Sequence, residues 1–231
     1  MDLFSHHRKA CTQPAAFRFG RAHTAVQVIG LISHETEDRH GLGSALPCVA
    51  VDNNRLILCF LELAKNRYSE RFFDSRPVEQ EKLDKILEAG RIVPTACNYQ
   101  PQRFYVLRSP EALAKARMVT PFHYNAPLML LVCYDINTVW KQPGDRMFYN
   151  YNSGEQDASI AATTMMYEAE ELGVHSVWLR GFDARTVSDV FQLPDNIIPV
   201  MMFAMGYPSE KARPNAWHFR RMPIEKFVTE L

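Results

Sequence analysis

Leu172-Gly173-Val174-His175-Ser176-Val177-Trp178-Leu179-Arg180-Gly181-Phe182 reads as the end of a helix followed at once by a strand. Gly173 closes the helix, because the left-handed conformation of a helix cap costs glycine little. Ser176–Leu179 is the strand, and Arg180-Gly181-Phe182 leads to Asp183, whose carboxylate can cap a further helix through Phe191. Helix, strand and helix in close succession predict a layered α/β or α+β domain.

Upstream, Ser153 or Asp157 can cap the helix that Gly173 ends. Its apolar residues (Ile160, Ala161, Met165, Met166, Tyr167, Ala169) fill more than one stripe, as in a helix covered by a core and by another subunit. Pro127–Tyr134 is the most hydrophobic run and predicts a central strand; Ile198–Met205 predicts another, ending at Gly206-Tyr207-Pro208. Phe104–Leu107 reads as a strand and Glu111–Arg117 as a short helix. Pro77, Glu79 and Glu81 open a helix whose Leu83, Ile86, Leu87 and Gly90 form one buried face. Pro94 closes that helix and begins the polar loop Thr95-Ala96-Cys97-Asn98-Tyr99-Gln100-Pro101. Lys141–Gly154 predicts a surface loop or lid, in which Phe148, Tyr149 and Tyr151 either stack on a planar substrate or pack the loop. A loop rich in Pro and Arg then carries Arg220-Arg221-Met222-Pro223 to a last short helix.

The 231 residues are 47% apolar with zero formal net charge, which gives no electrostatic case for nucleic acid or an anionic membrane. Neither long apolar run could span a bilayer. The five cysteines (Cys11, Cys48, Cys59, Cys97, Cys133) form no C-x-x-C pair, and the eight histidines show no ligand spacing. A disulfide framework and a metal site are therefore not expected, and a reducing cytoplasm is the expected compartment. His123 and His175 read as satisfied structural histidines, and Cys97 as a buried, inert thiol. Residues 1–58 lack clear periodicity and predict a poorly ordered extension; regular structure is expected over residues 59–231.

Helix-forming residues Phe60–Lys65 run into Arg67-Tyr68-Ser69-Glu70-Arg71, a hydroxyl flanked by two guanidinium groups. Such a set can grip a dianionic phosphate through forked donors, or it can be ordinary surface charge at a helix end with Glu70 as counter-ion.

Four segments decide between these. Arg67–Arg71, Pro94–Pro101, Leu172–Phe182 and Gly206-Tyr207-Pro208, in this order and spacing, resemble the nitroreductase family of FMN-dependent oxidoreductases. The resemblance covers about Cys59 to Leu231. It implies a three-layer α-β-α sandwich of α+β class, with a mixed central sheet, assembled as an intertwined homodimer with two flavins at its interface. It implies that Arg67, Ser69 and Arg71, with the backbone of Tyr68, hold FMN, Arg71 lying nearer the ribityl chain and pyrimidine edge. Arg221 would close on the phosphate. Thr95, Asn98 and Gln100 would reach the flavin from the other subunit, and Leu179, Arg180 and Gly181 would lay their backbone along the ring. The implied reaction passes hydride from NADH or NADPH through FMN to a nitroaromatic, quinone or similar acceptor, in ping-pong order. The ring performs the transfer, so no catalytic side chain is required. Flavin fragmentation, reductive dehalogenation and a non-enzymatic flavin-binding module are the alternatives. Tyr68 and Arg180 depart from the family's pattern; Arg180 either joins the substrate pocket or points away.

Overall fold

The computed structural model describes residues 49–52, 55–58, 60–144 and 151–231. The expectation for residues 1–48, and the proposed stacking by Phe148 and Tyr149, lie outside the described residues. Strands β1 (Val49–Asp52) and β2 (Arg55–Leu58) form an antiparallel hairpin, so secondary structure begins inside the stretch read as an extension. The remaining elements are α1 (Phe60–Asn66), α2 (Gln80–Arg91), β3 (Gln102–Leu107), α3 (Pro110–Val119), β4 (Leu128–Asp135), α4 (Gly154–Glu171), β5 (His175–Leu179), α5 (Ala184–Phe191) and β6 (Ile197–Gly206).

The main sheet has the order β3-β4-β6-β5, and every pair of named strands is antiparallel. The parallel component expected of a mixed sheet is confined, among the described residues, to one bridge between Ser69 and Ser176. The run at Pro127–Tyr134 does become a central strand: β4 is flanked on both sides and buried along nearly its whole length.

Alternation along β4 separates two cores. Leu128, Leu130, Val132 and Tyr134 pack with Leu83 and Ile86 of α2 and with Ala158, Ala162 and Met165 of α4. Met129, Leu131 and Cys133 pack instead with Ala116 of α3 and Val187 of α5. Each fully buried large side chain, such as Leu130, Leu131, Met202 or Phe203, contributes about 1.5–3 kcal/mol. Pro199 is tolerated inside β6 for a local reason. The β5 pairing reaches no further than Leu179↔Met202, so at Pro199 only β4 flanks the strand, and the register slips there between Val132 and Cys133.

Two of the three predicted caps form. Gly173 has φ +70° at the end of α4, and the Asp183 side chain accepts from Thr186 N at 2.7 Å. Ser153 precedes α4 without making a side-chain cap bond. In the single chain Ile160 of α4 is exposed and Tyr167 only partly buried, so the intrachain core covers only part of the apolar arc.

Candidate functional site

Helix α1 ends at Asn66, and Arg67 N makes one last helical bond to Leu63 O at 3.0 Å. The chain then leaves the helix: Ser69 bridges Ser176, and Glu70 N donates to Ser176 O at 3.1 Å. Arg67–Arg71 is therefore not the helix end that Phe60–Lys65 suggested. Glu70 is the physical reason. It is fully buried, and its Oε1 accepts from Arg71 N at 2.8 Å and Phe72 N at 2.6 Å, taking donors that a continued helix would use. Its Oε2 accepts from the Tyr68 hydroxyl at 2.8 Å. Burial, reinforced by that bond, pushes the Tyr68 phenol up to about 12. In an extended chain alternate residues share a side, which groups Arg67, Ser69 and Arg71.

These residues line one cavity of about 380 Å³ together with Asn215, Trp217, His218 and Arg221. The C-terminal wall is locally built: Asn215 caps the short turn Ala216–Phe219 by accepting from Trp217 N at 2.9 Å. Arg221 Nη1 donates to Trp217 O at 3.1 Å and Arg220 O at 2.9 Å, which fixes its guanidinium beside the turn. The Tyr68 ring meets His218 with centroids 6.2 Å apart and His175 at 5.5 Å, tying this wall to β5. Arg67 and Arg221, remote in sequence, thus converge as expected.

The electrostatics suit a dianion. Arg76, Arg91 and Arg103 all ion-pair with carboxylates, whereas among the described residues no carboxylate pairs with Arg67, Arg71 or Arg221. Among the described residues, Arg67 Nε is buried without a hydrogen-bond partner and Arg71 Nη1 donates only to Ser69 O, at 3.0 Å. Three guanidinium groups outside any ion pair among the described residues, and a hydroxyl, fit a phosphate monoester, such as the tail of FMN.

Arg71 also lines a second cavity of about 820 Å³, with Phe72, Tyr124, Asn125, Ser209 and Lys211 on its walls. Tyr124 and Asn125 both adopt left-handed backbone, with φ of 49° and 51°, and Asn125 N donates to His123 Nδ1 at 3.0 Å. Such strain persists where surrounding structure over-determines it, often at sites. Asparagine beside a bulky aromatic just before β4 was the available signal, and hydrophobicity alone passes over it.

The other expected residues lie elsewhere in the chain. Thr95, Asn98 and Gln100 do not line the phosphate cavity; Gln100 faces a separate cavity of about 500 Å³ beside Arg91 and Arg103. Their loop is nonetheless rigidly shaped. Thr95 Oγ1 accepts from Gln100 N at 3.0 Å, and Cys97, Asn98 and Gln100 all have positive φ. Asp157 anchors it from α4, accepting from Ala96 N at 3.0 Å and Ser153 Oγ at 2.7 Å. Cys97 is exposed rather than buried, since the left-handed turn points it outward; the buried thiol is Cys133, pushed up to about 12 by its burial.

Leu179 is buried at the end of β5, while Arg180 and Gly181 are exposed. Arg180 folds back over the Phe182 ring at 4.8 Å and donates to Phe182 O at 3.3 Å. At Gly181 a Cβ would lie 2.3 Å from the Phe122 ring, and Gly181 O is held by Thr120 Oγ1 at 2.9 Å. The backbone there is pinned on its inner side and bare on the outer. Among the described residues no group of His, Cys, Asp and Glu could hold a metal, and no helix is long and apolar enough to cross a membrane.

Comparisons with known proteins bear on the family and the fold. A family model described as "Nitroreductase family" matches residues 64–123 and 117–207. A Methanothermobacter thermautotrophicus protein, whose name proposes an NADH dehydrogenase/NAD(P)H nitroreductase, is 31% identical over 70% of this chain and 84% of its own. The crystal structure of a nitroreductase family protein from Clostridium difficile 630 superposes with TM-score 0.69 at 39% identity, covering 74% of this chain and 98% of that one. A Desulfovibrio desulfuricans protein, proposed as a nitroreductase and solved in complex with FMN, gives TM-score 0.62 at 25% identity over 74% and 95% of the two chains. On the match across residues 64–207 and on these relatives, the chain belongs to the nitroreductase family.

Proposed function

We propose that this chain is an FMN-dependent oxidoreductase that takes hydride from NADH or NADPH and delivers it to a nitroaromatic, quinone or related small acceptor, in ping-pong order. The observation that carries the reading is the convergence of Arg67, Ser69, Arg71 and Arg221 on one cavity, the three arginines making no ion pair among the described residues. Arg67, Ser69 and Arg221 hold the phosphate. Arg71, on the seam between the two cavities, serves the ribityl chain and pyrimidine edge, and Tyr68 contributes its backbone. The outer backbone of Leu179, Arg180 and Gly181 flanks the ring. When bound, FMN supplies two-electron transfer; the protein supplies position and the cationic surroundings that stabilise negative charge.

The three-layer arrangement and the intertwined homodimer belong to the same proposal. The C-terminal segment leaves Trp217, Phe219, Met222, Ile224 and Phe227 exposed. A partner subunit would cover it and bring its own Thr95, Asn98 and Gln100 to the flavin. Residues 59–231 form the flavin-binding domain, residues 1–58 are an extension to it, and the protein works in the cytoplasm. Purified protein should be yellow and should oxidise NADH or NADPH when menadione or nitrofurazone is added. A colourless protein that cannot be reconstituted with FMN would refute the reading.

A further inference from the structure

Beside Arg67 lies a buried acid–base pair with no part in the reading above. Glu170, in the last turn of α4, and His175, the first residue of β5, are brought together by the Gly173 cap between them. Their side chains are only 10% and 21% exposed, and Glu170 Oε2 lies 3.9 Å from His175 Nδ1, beyond hydrogen-bond distance. Neither atom has a hydrogen-bond partner among the described residues, and neither do the buried Arg67 Nε and Ser176 Oγ. Native interiors leave few buried polar groups unpaired, so the unpaired Glu170 and His175 atoms beside Arg67 require an explanation. His175 was expected to be satisfied, but its Nδ1 has no hydrogen-bond partner among the described residues.

The charges around the pair locate its partner. Burial raises the Glu170 carboxyl; His175 and Arg67 pull it back down, and Glu70 pushes the same way as burial. Tyr68 is the link outward, since it senses Glu170 and Arg213 electrostatically and touches His218. Glu70 is saturated by two backbone amides and a phenol. Arg67 is therefore the element common to the buried pair and the cavity wall.

We propose that Glu170 and His175 together take up one proton when a dianionic phosphate binds at Arg67, and so act as positioning residues that set the cavity's affinity for phosphate monoesters. The inference rests on the proposed function, which places the FMN phosphate in that cavity. Without the proton the pair carries one net negative charge and competes with the ligand for the Arg67 guanidinium. With it, the pair is neutral, Nδ1–H can close onto Oε2, and the guanidinium charge is left to the phosphate. Linkage is reciprocal: if ligand binding favours the protonated pair, then the protonated pair binds the ligand more tightly.

The test is isothermal titration calorimetry of FMN into the flavin-free full chain at pH 8, in buffers of different ionisation enthalpy. The second phosphate pKa is about 6, so the ligand is already dianionic and any proton taken up belongs to the protein. Wild type should take up a fraction of a proton, and its FMN Kd should rise by about threefold or more from pH 7 to pH 9, the ceiling being tenfold per pH unit for one proton. Glu170→Gln should abolish both effects, as should His175→Gln, which keeps the test open if the first variant does not fold. Riboflavin, which lacks the phosphate, should bind wild type without proton uptake. FMN binding with no uptake, or with equal uptake in both variants, overturns the inference and leaves the flavin reading intact. Loss of uptake in His218→Asn alone overturns it too, by placing the proton on the C-terminal wall. Failure of wild type to bind FMN at any pH would overturn the flavin reading and this inference with it.

Discussion

Glu70→Ala removes an acceptor shared by the backbone amides of Arg71 and Phe72, at 2.8 and 2.6 Å, and by the Tyr68 hydroxyl at 2.8 Å. Each buried donor left without a partner costs about 1–3 kcal/mol, so the two amides together put the loss at about 2–6 kcal/mol. Arg71 and Phe72 are themselves exposed, which lets water into the vacated volume and places the value in the lower half, about 2–4 kcal/mol. The phenol can turn to solvent and adds little. Glu70→Gln keeps Oε1 for both amides and lets Nε2 donate to Tyr68, so it loses only charge assistance, about 1 kcal/mol. Urea unfolding of the two variants beside wild type, followed by circular dichroism, measures the difference. FMN titration of the same samples reads the clamp, which should weaken far more in Glu70→Ala because Arg67, Ser69 and Arg71 lose their common alignment. Equal stability and equal FMN affinity in the alanine and glutamine variants would refute the idea that this carboxylate shapes the segment.

Two further predictions concern other parts of the fold. Gly181→Ala places a methyl group 2.3 Å from the Phe122 ring, and the clash should cost about 1–3 kcal/mol in thermal or urea unfolding while altering the bound-flavin spectrum; Phe122→Leu in the same chain should restore much of both. Asp135 is held below the usual carboxylate range, first by the Asn196 side chain at 2.8 Å, then by Asn137 N at 3.0 Å and by Arg103. A depressed carboxyl contributes stability above its unfolded value, about 3.9, and loses it as pH falls through the folded value. Asp135→Asn should therefore lower the urea midpoint at pH 7 and lose less than wild type on going to pH 3; an acid loss identical in both would contradict the assignment.

Much of the scaffold is legible in the sequence because its signals are local. Gly173 and Asp183 mark their helix ends by backbone freedom and side-chain reach, and the uninterrupted apolar runs of β4 and β6 admit few placements other than a two-sided sheet. The arginine segment is legible in composition and misleading in conformation. Helix-forming residues lead into it, and only the tertiary burial of Glu70 shows that the chain has left the helix. Long-range partners stay hidden for the same reason. Asp157 looks like a cap for its own helix but secures Ala96 in a distant loop. Asn215, Trp217 and His218 enter the cavity only because the C-terminal segment crosses in front of Tyr68. The antiparallel pairing of β5 with β6 depends on the direction of a connection that periodicity does not encode.

The convergence of Arg67 and Arg221 on one phosphate is tested most directly by comparing FMN with riboflavin as ligands of the flavin-free wild type, Arg67→Ala and Arg221→Ala. Losing one charged phosphate donor should cost about 1.5–3 kcal/mol, so each variant should bind FMN about 10- to 150-fold more weakly while its riboflavin affinity stays within about twofold of wild type. FMN affinity unchanged in either variant, or riboflavin weakened in parallel with FMN, would contradict the account.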